Sequence, residues 1–172
     1  AGEHADMAYA VLCGRLEYAQ HPESSPLSLA ARASVGEGAW LAEAALWSEW
    51  ICVGTAVATQ HCKIVTLRAD AMLRVSQDHV VVRNIVRHYG EIFHRRVMRA
   101  VPPDSDWPSD LGVPDTGFAD IVVAMPAEAR MAIGLNALRS YSMPRFSEAG
   151  PPTPSAAGED SPRAAWRGRW RR

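Results

Sequence analysis

No stretch of this chain approaches the roughly 20 consecutive apolar residues that a bilayer-spanning helix needs, so nothing in it is expected to cross a membrane. Cysteine is scarce. Cys13, Cys52 and Cys62 are odd in number and irregularly spaced, which argues for free thiols in a reducing compartment rather than a disulfide framework. An excess of charge of either sign is also lacking: a formal net charge of −1 gives no global field to recruit nucleic acid or an anionic surface. The opening Ala1-Gly2-Glu3-His4 has no basic region, long apolar run or initiator methionine, as expected of a processed product or fragment without a secretory signal. No nucleophile elbow, phosphate-cradling loop with lysine or metalloprotease helix occurs, so no enzyme activity is expected. Metal is not expected either. His61 and Cys62 are adjacent and would face opposite sides of a strand, Cys52 has no close partner, and His79, His88 and His94 include no pair four apart.

What is there is ordinary globular material: 172 residues, 48% hydrophobic and 22% charged, enough for one domain with a real core and extra segments. The chain is organised around Val35 to Leu67. Gly36 and Gly38 provide a turn in which φ > 0 is open to them. Trp40, Leu41, Ala44, Ala45 and Leu46 are too apolar for a loop and fit a short helix on a sheet, with Glu43 as its charged member. Val53, Thr55 and Val57, then Ile64, Val65 and Leu67, fit two short strands joined by Thr59-Gln60-His61. Upstream, Met7 to Ala19 reads as a hairpin turning at Gly14-Arg15, with Tyr9, Val11 and Cys13 alternating on one arm. His21 to Pro26 is a proline-bounded surface loop, and Leu27 to Val35 holds one more short strand.

This order of parts resembles the phosphate-binding cassette of cyclic nucleotide-binding domains. The family pattern is glycine-glutamate, alanine-leucine, a short loop, arginine-alanine, then threonine opening the next strand. Laid on this chain without a gap, Glu43 matches the glutamate, Ala45-Leu46 the pair and Thr55-Ala56 the strand start. Trp40-Leu41-Ala42-Glu43-Ala44-Ala45-Leu46-Trp47 with Trp50 is similar to divergent forms in channel-like proteins of unicellular eukaryotes. The resemblance covers roughly residues 7 to 100. It implies an α+β fold: an antiparallel, jelly-roll-like β-roll with a short cassette helix and C-terminal helices. The roll would be incomplete at the N-terminus, with an open edge that a longer parent chain would supply. It also implies a regulatory domain of a channel-like or signalling protein, cytoplasmic and at the cytoplasmic face of a membrane. The implied ligand is cAMP or cGMP, held by Leu41, Ala42, Glu43, Cys52, Gly54 and Thr55, with Glu43 on a ribose hydroxyl.

Two departures bear on that ligand. Ala42 stands at the family's glycine, and Cys52 at the arginine that grips the cyclic phosphate. A guanidinium on phosphate makes charge-assisted bonds of roughly 1.5–3 kcal/mol each, and a neutral thiol is only a weak donor. Nucleotide binding is therefore expected to be weakened or lost. The alternative is a structural protein-interaction module with no small-molecule ligand. Trp40, Trp47 and Trp50 serve either reading, by filling the space between helix and sheet or by lining a pocket.

Beyond Leu67 the pattern turns helical. Asp70 suits a helix start, and from His79 to Ala100 the residues Val82, Ile85, Val86, Tyr89, Ile92, Phe93 and Val97 form one stripe. Arg83, Arg87, His88, Arg95, Arg96 and Arg99 fall mainly on the other side, and Gly90 interrupts the middle. The resemblance makes this helix a lid; on the alternative reading it is a surface for self-association or a protein partner. The expected organisation is a roll with its lid over 1–100, a proline- and aspartate-rich linker over 101–117, an apolar strand or helix extension over 118–141, and a disordered tail over 142–172 ending in arginine and tryptophan. That tail offers charge to RNA, acidic lipid or an acidic partner, though a solvated end suits its composition better.

Overall fold

A computed structural model describes residues 1–142, and the expectations for the tail lie outside them. The fold is α+β, with small antiparallel sheets in the N-terminal part and four helices after them. Strands β1 (His4–Ala5), β2 (Met7–Cys13), β3 (Leu16–Gln20), β4 (Ala31–Val35) and β5 (Trp40–Leu41) come first. A 3₁₀ turn over Glu43–Leu46 then leads to β6 (Trp50–Ile51), β7 (Gly54–Ala58) and β8 (Lys63–Arg68).

The expected hairpin over 7–19 does not form. β2 and β3 are both strands, but they belong to different sheets, ordered β5-β2-β8 and β4-β3-β7. The register explains this: Met7 pairs Arg68 at one end of the run and Gln20 pairs Gly54 at the other. Residues 7–20 and 54–68 are thus one long antiparallel ribbon, folded across a corner, and 31–41 follows along the opposite side through β4 and β5. Gly14, at φ +96, makes the corner. A Cβ there would stand 2.5 Å from Cys62 Sγ and 2.6 Å from the His61 carbonyl, so only glycine lets the two bends nest. In the turn before Trp40, Gly38 takes positive φ and Gly36 does not.

Folding the ribbon closes one core between the two sheets, from Val11, Leu16, Tyr18, Val35 and Leu41. β7 and β8 have no further strand on their outer side among the described residues, and Val57, Ile64 and Val65 are exposed there.

Helices α1 (Ala69–Gln77), α2 (Val80–Arg99), α3 (Phe118–Ala124) and α4 (Ala127–Ser142) follow. The apolar block from Phe118 is therefore helical. Ile92 and Phe93 of α2, Ile121 and Met125 join Ala44, Ala45 and Trp50 in a second core, with Trp47, Ile85, Tyr89 and Val97 packed at its margin. The α2 stripe is spent inside the chain except at its start, where Val80, Val81 and Val82 are exposed. A Cβ at Gly90 would lie 3.3 Å from the Trp47 ring, so the apparent weak point in α2 is where the indole presses on its backbone. Arg96, assigned to the outer face by periodicity, is half-buried. Its guanidinium donates to the carbonyls of Asp115 and Asp120, tying α2 to the connector over 100–117 and to α3.

Candidate functional site

The corner geometry leaves a cavity of about 260 Å³ inside the roll, bordered by Tyr9, Tyr18, Leu41, Ala42, Cys52 and Gly54 together with Asp110. Four of the six sequence-derived candidates meet here: Leu41, Ala42, Cys52 and Gly54. Glu43 and Thr55 do not line it. Thr55 is exposed and pairs its hydroxyl with His21 Nε2 at 3.2 Å. Glu43 opens the 3₁₀ turn and lies on the side of α2. Ala42, just before it, has φ 54 and ψ 34, a left-handed conformation that costs a residue with a Cβ about 1–2 kcal/mol. A glycine would take this backbone shape without that cost.

Asp110 is the residue that sequence reasoning missed. It is 5% exposed and lies in a tight turn closed by the Ser109–Gly112 bridge. Its carboxylate accepts from Tyr18 Oη at 2.9 Å, Trp50 Nε1 at 2.7 Å, Val53 N at 3.0 Å and Gly54 N at 2.8 Å. Its own carbonyl accepts from Ala42 N at 2.6 Å. One residue of the connector therefore saturates the polar donors at this end of the roll, as a buried charge requires. Burial first, and then the Asp110 carboxylate, hold the Tyr18 phenol far above its ordinary range. Burial, with Asp110 next in weight, also pushes the Cys52 thiol up, which keeps it protonated and uncharged. Tyr18→Phe removes one bond to the carboxylate but orphans nothing. It should lower unfolding free energy by about 2 kcal/mol in urea titrations.

Glu43 is half-buried, and burial raises its pKa above 4.5 against a smaller lowering by Trp47. The approach to Trp47 falls short of a proper hydrogen bond, and the buried Trp47 Nε1 has no partner among the described residues. The unfolded chain releases this proton near pH 4.5 and the folded chain at higher pH. The folded state therefore binds more protons between the two values. Stability falls as pH rises through that window, and the full cost persists above it. Glu43→Gln should thus raise the Tm at pH 7, with a gain that vanishes as pH falls below about 4.5, measured by thermal melts across pH.

Among the described residues no group of three or more His, Cys, Asp and Glu is placed to hold a metal, and no helix is long and apolar enough to cross a membrane. No family model and no curated protein matches the sequence. Among solved structures the chain is similar to a cyclic nucleotide-binding-like protein from Brucella abortus. The match has 24% identity and a TM-score of 0.37, and covers 44% of this chain and 63% of that one.

Proposed function

We propose that this chain is a regulatory domain of the cyclic nucleotide-binding type whose roll has lost ready access to nucleotide because its own connector fills the anion position. The observation that supports this is the Asp110 carboxylate, which takes the Val53 and Gly54 amides together with Tyr18 and Trp50. A cyclic phosphate needs such amides and a cation. Here the amides already hold a negative charge, and Cys52 brings no positive one. Glu43, the residue proposed for the ribose, lies on the other side of the cassette. A place at the cytoplasmic end of a channel-like or other signalling protein suits a domain of this kind, and its role there is structural coupling rather than catalysis.

The test is a titration with cAMP and cGMP followed by tryptophan fluorescence, since Trp50 shares the Asp110 carboxylate with the amides a phosphate would use. The expected result is no saturation below about 1 mM, roughly 4 kcal/mol of binding. Saturation below about 10 µM, roughly 7 kcal/mol, overturns the proposal.

The second reading, a module that docks a protein partner, draws on the exposed Val80, Val81 and Val82 at the start of α2, with Leu73 and Val75 of α1 also exposed. Light scattering that shows self-association abolished by Val81→Lys would favour it.

A further inference from the structure

A second cavity, of about 310 Å³, lies between the 3₁₀ turn, β8, α1, α2 and α3. This is the lower end of the range of small-molecule sites, roughly 300–1,000 Å³. Its walls include Trp40, Trp47, Tyr89 and Phe118, with aliphatic surface from Met72 and Ile85. Trp47 and Tyr89 have ring centroids 4.7 Å apart, and Tyr89 and Phe118 6.3 Å, so the aromatic wall is continuous. Trp40 and Phe118 are partly exposed, which places its mouth at the surface.

The charged group on this wall is Glu43. No salt bridge reaches it among the described residues. The cation near Tyr89 is Arg96, and its guanidinium is engaged by the Asp115 and Asp120 carbonyls. A half-buried carboxylate without a counter-ion is costly, and here it shares its cavity with aromatic rings, whose faces attract positive charge. Ring faces around a carboxylate are the chemistry that selects an organic ammonium. An anion or a nucleotide phosphate meets the like charge of Glu43 there.

We propose that the cavity beside Glu43 binds a small organic cation, an alkylated ammonium with apolar substituents, with Glu43 as its counter-ion and Trp40, Trp47, Tyr89 and Phe118 as its walls. This site is separate from the Asp110 pocket and holds whether or not the roll takes a nucleotide. A ligand there touches the cassette turn and three helices at once, and so joins the roll to the helical layer.

The test compares choline with its neutral isostere 3,3-dimethylbutan-1-ol on the full chain, watching the Trp47 indole N–H by NMR. The expected result is saturable shifts with choline, and binding at least about tenfold weaker for the alcohol. Glu43→Gln, which should fold at least as well as the parent, loses at least about tenfold in choline affinity. Trp40→Ala, at a partly exposed wall, weakens it too. Equal binding of choline and the alcohol, undiminished binding by Glu43→Gln, or no saturation by choline at about 50 mM would overturn the proposal.

Discussion

Asp110→Ala should lower the unfolding free energy by about 3–5 kcal/mol, the range measured when one partner of a buried charged network is removed. The loss arises from donors left behind. Trp50 Nε1, Val53 N and Gly54 N have been built around two carboxylate oxygens, and each buried donor without an acceptor costs about 1–3 kcal/mol. The total stays below the simple sum because water can enter the vacated space. Against a typical total of about 5–15 kcal/mol this is a large fraction, worth roughly 10 °C in Tm for a chain of this size. Asp110→Asn keeps the shape and one acceptor but turns an N–H₂ toward N–H donors, so it should lose about 2–3 kcal/mol. Asp104→Ala, at an exposed position of the same connector, should stay within about 0.5 kcal/mol. Urea denaturation read by tryptophan fluorescence measures all three. If Asp110→Ala unfolds within about 1 kcal/mol of the parent, the carboxylate does not hold the roll.

Gly54→Ala should cost about 3 kcal/mol for a different reason, overpacking. A methyl group there would lie 2.3–2.4 Å from three atoms of the Tyr18 side chain. The ring cannot swing aside freely: it is 3% exposed and its hydroxyl is bonded to Asp110. Moving it also loosens the carboxylate, which adds to the steric cost. The same substitution at Gly36, where nothing lies within 4 Å of the new methyl, should be close to neutral. A double-mutant cycle isolates the cause. With Tyr18→Ala already in place, Gly54→Ala should cost less than half as much, because the clashing ring is gone. Equal cost in both backgrounds would assign the effect to backbone rather than to Tyr18.

The parts of this fold that could be read from the sequence are those whose cause is local. The 3₁₀ turn over Glu43–Leu46 follows from a cluster of apolar residues between a glycine turn and a short loop. The stripe from Ile85 to Val97 carries a helical period, and α2 spans Val80–Arg99 against an expected His79–Ala100. Pairing between strands is not local. Gly14-Arg15 has the chemistry of a hairpin turn and the chemistry of a corner alike, and only the distant partner, residues 54–68, decides between them. Asp110 was hidden for the same reason. In a run rich in proline and aspartate it looks solvated, and its donors lie 56 to 92 positions away. Glu43 was legible as the charged member of a short apolar turn but not in its direction, because a left-handed residue immediately before it sets which way the turn faces.

The connector that carries Asp110 is fastened at two points: the Asp110 carboxylate to the roll, and the Asp115 carbonyl to Arg96 on α2. If the Asp110 carboxylate fills the anion position of the roll, as proposed, this strap would act as a latch on it. Any anion that took the Val53 and Gly54 amides would have to expel the carboxylate and so slacken the strap across the helices. Reciprocity requires the converse: a pull that peels the strap away frees the amides and raises the roll's affinity for an anion by the same factor.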